Sequence, residues 1–305
     1  VSPPERPTSR VEALAARLER ARQADRVAAL TLAISVVGRE RAHRVLEPAL
    51  EILAEAQPIE ARPALRERFV DLTDTGMRYD QDCSLRIGIV KVLRGLGVPA
   101  DVDLAKRGVR TIQLNPPARI DVAQALRGQS LLWLAELAPQ RADYYAVELL
   151  QDPHLSEFSG EPAVTAIQVL AAGGNVLPIW VLARRPGPHP DVLAQAFASL
   201  RKAPPDLQLD ALREHLASAR ERGESGEAIA LVAAEAIILN GLSDGYGEVA
   251  TVLRETSNPN VCLYLAVTAI RNGDEELRQL VREVQKREKD QRKARAFAEA
   301  LGDRR

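Results

Sequence analysis

Short apolar stripes at helical spacing, each stopped by glycine or proline after a few turns, recur along the whole chain and constrain its fold more than any other feature. The stretch from Gly160 to Leu200 shows the pattern most plainly. Val164, Ile167, Leu170 and Ala171 fall three and four residues apart, so they share one face of an α-helix that must be buried. Pro162 sits where a first-turn proline is tolerated, and Gly173-Gly174 supplies a left-handed stop. Asn175 then caps a second helix over Val176 to Ala183, with Pro178 in its first turn and Trp180 on its apolar side. A third helix opens near Pro190 and carries Val192, Leu193, Ala196, Phe197 and Leu200. Helices this short bury too little by themselves, so neighbouring helices must cover them.

Composition supports an all-α chain. Residues are 46% hydrophobic but only 4% aromatic, a balance of Ala, Leu, Val, Arg and Glu that favours helices and leaves almost no strand signal. The formal net charge of -1 argues against a strongly basic nucleic-acid binder and against general attraction to anionic membranes. Cys83 and Cys262 have no second thiol nearby, so neither a metal knuckle nor a disulfide framework is expected, and a reducing cytoplasm fits. The most apolar run, Ala228 to Leu239, is too short to span a bilayer and contains Glu235, and the first residues carry no signal-peptide apolar region.

In chain order, residues 1–8 hold three prolines and predict a disordered tail. Residues 9–77 read as divergent helices: one capped by Ser9, then Asp25 to Val37, then Arg39 to Ala56, where Pro48 should kink or split the helix, then a helix from Pro63 to Gly76. Residues 78–273 hold the clearest repeats. A stripe from Leu85 to Leu96 stops at Gly97, and a helix over Ala100 to Gln113 is broken by Asn115-Pro116-Pro117. Helices then follow over Asp121 to Leu137 and Ala142 to Gln151, and, after the stretch already described, over Asp206 to Arg222, Gly226 to Asn240, Glu248 to Glu255 and Pro259 to Asn272. Comparable helix starts recur at roughly 28 to 40 residues, the period of solenoid units. Residues 274–305 read as a charged capping helix, since Lys286 to Arg295 is almost wholly charged and arrays need a polar end.

At the junctions the chain resembles HEAT repeats of the armadillo-type superfamily. Leu149-Leu150-Gln151-Asp152-Pro153 matches the turn after a second helix. Asn258-Pro259-Asn260-Val261 and Pro190-Asp191-Val192 match the Pro-x-Val opening without its arginine, whereas Asp82, Leu85 and Arg86 keep the acid, the apolar residue and the arginine. The resemblance implies an α-solenoid of stacked antiparallel helix pairs in a right-handed superhelix. It also implies a non-enzymatic scaffold that binds a protein partner on the concave surface formed by the second helices. Less directly, it points to HEAT-like lyase subunits.

No cluster of residues specifies a reaction. His43, His154, His189 and His215 have no ligand-spaced partner, and the His-Glu pairs of di-iron HEAT enzymes are absent, since Leu155 follows His154 and Leu216 follows His215. Walker-type and Gly-x-Gly-x-x-Gly loops are absent too, and no catalytic, cofactor or metal residue is assigned. One polar feature stands out, a basic concentration between Arg78 and Arg127. Arg86, Lys91, Arg94, Lys106, Arg107, Arg110 and Arg127 are the candidates for binding an anionic partner, an acidic peptide or nucleic-acid phosphate. The competing reading pairs them with Asp80, Asp82, Asp101, Asp103 and Asp121 as ladders between repeats, because Arg86 and Arg127 fall within apolar faces.

Overall fold

The computed structural model describes residues 10–117, 119–186 and 189–302. In it the apolar stripes become seventeen helices among the described residues. The first eight are α1 (Arg10–Ala24), α2 (Arg26–Arg39), α3 (His43–Ala56), α4 (Arg62–Tyr79), α5 (Ser84–Leu96), α6 (Val102–Val109), α7 (Gln124–Leu137) and α8 (Pro139–Leu149). The rest are α9 (Ala163–Ala172), α10 (Val176–Ala183), α11 (Pro190–Ser199), α12 (Pro205–Glu221), α13 (Glu227–Leu239), α14 (Tyr246–Glu255), α15 (Pro259–Asn272), α16 (Glu275–Arg287) and α17 (Gln291–Leu301). No helix among the described residues is long and apolar enough to cross a membrane. The tail expected over residues 1–8 lies outside the described residues.

The ends of these helices follow the local chemistry. Asp25 opens α2 by accepting from the backbone N–H groups of Val27 and Ala28, and Asn258 opens α15 by accepting from that of Asn260. Gly97, at φ 62°, closes α5. At the end of α9, Gly174 takes φ 78° while the Asn175 N–H reaches back 2.8 Å to the Leu170 carbonyl, the stop that the glycine pair predicts. Pro48 lies inside α3 without dividing it.

The chain forms two units, Val1–Ser156 with Glu161–Val169, and Glu157–Gly160 with Leu170–Arg305. Within the first unit, α1 packs on α3, α3 on α5 and α5 on α7, while α2 packs on α4 beside them; α2 with α3, α4 with α5, and α6 with α7 are sequential pairs. The second unit repeats the scheme, with α11 on α13, α13 on α15, α15 on α17, and α14 on α16. Each unit is therefore two rows of alternating helices, a solenoid-like packing. The first row is closely packed through its apolar faces, with Leu53, Ile89, Leu93 and Trp133 buried in the first unit and Leu193, Phe197, Ile237 and Leu265 in the second.

Long side chains join helices within both rows, one repeat apart in sequence. In the first row Arg22 of α1 meets Glu51 of α3 across 29 residues, and Arg94 of α5 meets Glu136 of α7 across 42. Arg213 pairs with Glu248 and Arg220 with Glu255, both from α12 to α14. The deepest of these ties is Asp101, which is fully buried and receives both Nε and Nη2 of Arg62 at 3.0 and 2.8 Å, and also the Arg66 guanidinium. Such bidentate geometry is what makes a buried carboxylate tolerable.

The segment Lys286 to Arg295 differs from a solvated helix face. Residues 288–290 interrupt it, and Asp290 caps α17 by accepting from the N–H groups of Arg292 and Lys293. Lys293 is buried, with Nζ 2.9 Å from both the Arg254 carbonyl and Glu288. Burial acts to raise the Glu288 carboxyl, but the Lys293 hydrogen bond and nearby backbone N–H groups outweigh it and hold the group below its ordinary range. Phe297, also buried, gives α17 the apolar face that seats it on α15.

Candidate anionic-partner site

The basic segment divides into an inner and an outer set. The inner set begins where α4 ends. Asp80 accepts the N–H groups of Leu85 and Arg86 at 2.9 and 3.2 Å, capping α5, and takes Nε of Arg86 at 2.8 Å. Six residues apart in the same way, Asp121 pairs with Arg127, whose Nε lies 3.0 Å from Asp152 and whose Nη1 and Nη2 reach the Thr111 and His154 carbonyls. Gln113 joins the two clusters. Its side chain bonds Arg86 and the Asp80 carbonyl, while its backbone N–H donates to Asp121 at 2.9 Å. Asp80, Arg86, Gln113, Asp121 and Arg127 are all buried. The chain thus runs a continuous polar network through the seams of three successive repeats.

Local backbone makes this network possible. The helix expected over Ala100 to Gln113 ends at Val109, where the β-branched Thr111 and Ile112 follow. Leu114–Asn115 then pairs antiparallel with Ile120–Asp121, with Leu114 opposite Asp121 and Asn115 opposite Ile120. This two-residue ladder delivers Asp121 to Arg127, and Asp121 also accepts the Ala123 N–H, so α7 starts at Gln124 rather than at Asp121. Gly76 is needed at the crossing: a Cβ there would lie 2.5 Å from Gln113 Oε1 and 2.7 Å from Arg86 Nη2.

The outer set stays at the surface. Arg107 pairs with Asp74 at 3.1 Å, and Arg110 lies 3.6 Å from Glu148 with its guanidinium 4.8 Å above the Tyr145 ring. Lys106 pairs with Asp103 and Arg94 with Glu136, and Lys91 is exposed. Arg107 and Arg110 come together with Arg86 around an open groove of about 580 Å³ between α4 and the end of α6, also lined by Asp74, Met77 and Ile112. Lys91, Arg94, Lys106 and Arg127 do not line it. Of the seven candidates, Arg86 and Arg127 are thus interior ties and Arg107 and Arg110 are the groove's exposed cations.

A cluster that spacing does not reveal lies beside this network. His43 Nε2 sits 2.8 Å from Ser84 Oγ, an arrangement reminiscent of an activated nucleophile. The hydroxyl, however, donates to Asp82 at 2.8 Å, so the imidazole faces its lone pair. Burial acts to raise the Asp82 carboxyl, but the Ser84 hydroxyl and N–H prevail and hold it below its ordinary range, a poor proton acceptor. The next two N–H groups, of Leu85 and Arg86, are taken by Asp80 and offer no oxyanion site. The cluster serves as a cap and a tie between α3 and α5.

Cys83, at φ 62° on the turn into α5, and Cys262 are both buried, and burial pushes their thiols up to about 12 and about 11 respectively. Thiolates are suppressed at both positions, which suits small packing residues. No protein-family model matches the chain, and no curated protein matches it.

Proposed function

We propose that this chain is a HEAT-like scaffold that binds a protein partner on the surface of its second-row helices, in the cytoplasm and without catalysing a reaction. In this reading residues 78–273 form the array proper, residues 9–77 are divergent repeats, residues 274–305 cap it, and the helix pairs build a right-handed superhelix with the second row on the concave side. The observation that carries the proposal is the groove between α4 and α6. It sets exposed apolar side chains, Met77 at 44% and Ile112 at 54%, beside the exposed cations Arg107 and Arg110. Apolar anchors within a polar rim are the anatomy of a protein-binding surface.

A second reading, nucleic-acid binding, draws on the same two arginines and exposed Arg78. The exposed apolar side chains of Met77 and Ile112 in the groove and the formal net charge of -1 weigh against it. Cross-linking of the full chain in extract of its host, with the linked sites mapped by mass spectrometry, separates the readings. Protein links concentrated on α2, α4, α6 and α8, or on α12 and α14, are expected. Links confined to the first row, or to nucleic acid alone, would overturn the proposal.

A further inference from the structure

We propose that the α4–α6 groove is a carboxylate-recognition site whose occupant is an acidic linear segment of the partner protein, carrying one apolar side chain between its carboxylates. This rests on the scaffold reading above and specifies the chemistry of the partner. The floor of the groove supplies the first reason. Arg86 is only 1% exposed, yet it lines the groove. Its internal bonds use Nε, to Asp80, and Nη2, to Cys83, Gln113 and the Asp80 carbonyl, and among the described residues none uses Nη1. A guanidinium clamped on one side in this way is oriented in advance, so an incoming carboxylate meets a fixed donor instead of ordering a free side chain.

The rim supplies the second reason. Arg107 and Arg110 are held by acids that are themselves exposed, Asp74 at 71% and Glu148 at 59%. Surface pairs of this kind contribute little, so a partner's carboxylate can replace Asp74 or Glu148 at small cost. The hydroxyls of Thr73 and Thr111 already donate to the Phe69 and Arg107 carbonyls, which leaves the arginines as the donors that define the site. Acids therefore suit it and bases do not.

Met77 and Ile112 decide between two anionic occupants. A nucleic-acid backbone would leave both apolar side chains uncovered. A peptide with a central leucine covers them while its flanking glutamates reach Arg86, Arg107 and Arg110. Gly76 keeps the floor open, because a side chain there would run into Gln113 and Arg86.

The test is fluorescence anisotropy on the full chain with a labelled peptide of glutamates around one leucine. The same peptide with glutamine for glutamate, one with serine for leucine, and single-stranded and duplex oligonucleotides are run beside it. Saturable, salt-sensitive binding of the glutamate–leucine peptide is expected, weaker for both altered peptides. Arg107→Ala with Arg110→Ala should weaken it by about tenfold or more, the factor that corresponds to losing roughly 1.4 kcal/mol. Ile112→Ser should weaken it with every charge kept. Arg213→Ala with Arg220→Ala in the second unit should leave it unchanged. Equal affinity in the groove variants, no peptide binding, or tighter oligonucleotide binding that those variants abolish would each overturn the proposal. Peptide failure with cross-links still on second-row helices removes the groove assignment alone; failure of both removes the scaffold reading as well.

Discussion

Arg127→Met is expected to destabilise the first unit by about 3–5 kcal/mol, the usual cost of breaking a buried ion pair from one side. The substitution keeps the bulk of the side chain but strips Asp121 and Asp152 of their cation and the Thr111 and His154 carbonyls of a donor. The pair itself need not add net stability, since its formation removes both charges from water. What costs is the uncompensated carboxylate left behind. Asp121→Asn should therefore cost far less in the Arg127→Met background than in the native chain, a coupling that a double-mutant cycle measures. Trp133 lies in α7 of the first unit and Trp180 in α10 of the second, so urea unfolding followed by Trp133 fluorescence in a Trp180→Phe background reports on the correct unit. A loss under about 1 kcal/mol would mean that Arg127 is satisfied by water and not by this network.

Leu170→Ala is expected to cost about 2 to 5 kcal/mol, because Leu170 is fully buried and truncation adds a cavity to the lost burial. Leu170 is the residue on which the helical phase of the Gly160 to Leu200 stretch turns. Denaturant melts that moved by under about 1 kcal/mol would show that its pocket collapses around alanine, at odds with a close-packed interior.

Periodicity carried the helices well because it records burial directly. Pro259–Asn272 and Val176–Ala183 lie where the stripes and their punctuation place them, and α12 and α13 differ from expectation by a residue at each end. The inward position of Arg86 and Arg127 was also legible, since a charge on an apolar face must find a partner, and an aspartate six residues earlier supplies it in both cases. Gln113 was not legible as the link between them. It acts only because the chain leaves the helix at Arg110 and folds through the short ladder at Leu114 and Asp121, a turn set by side-chain bonds and not by any apolar pattern. The burial of Lys293 escaped for a similar reason. A lysine amid a charged run reads as solvated, while here a carbonyl of α14 and Glu288 receive it and Phe297 pulls the helix down. Within the groove, composition marked the arginines but could not separate those facing in from those facing out.

The central claim is that buried polar contacts tie successive repeats of the first unit into one cooperative body, on which the groove is built. In arrays where each repeat touches only its neighbours, such ties set how far unfolding spreads. Native-state hydrogen exchange of the full chain measures this most directly. The slowest amides of α3, α5 and α7 are expected to exchange with one common opening free energy, and Gln113→Ala, which removes the side chain bridging Arg86 and Asp80 to the Asp121 turn, should split it into two. Separate opening energies for α5 and α7 in the native chain, unchanged by Gln113→Ala, would contradict the account.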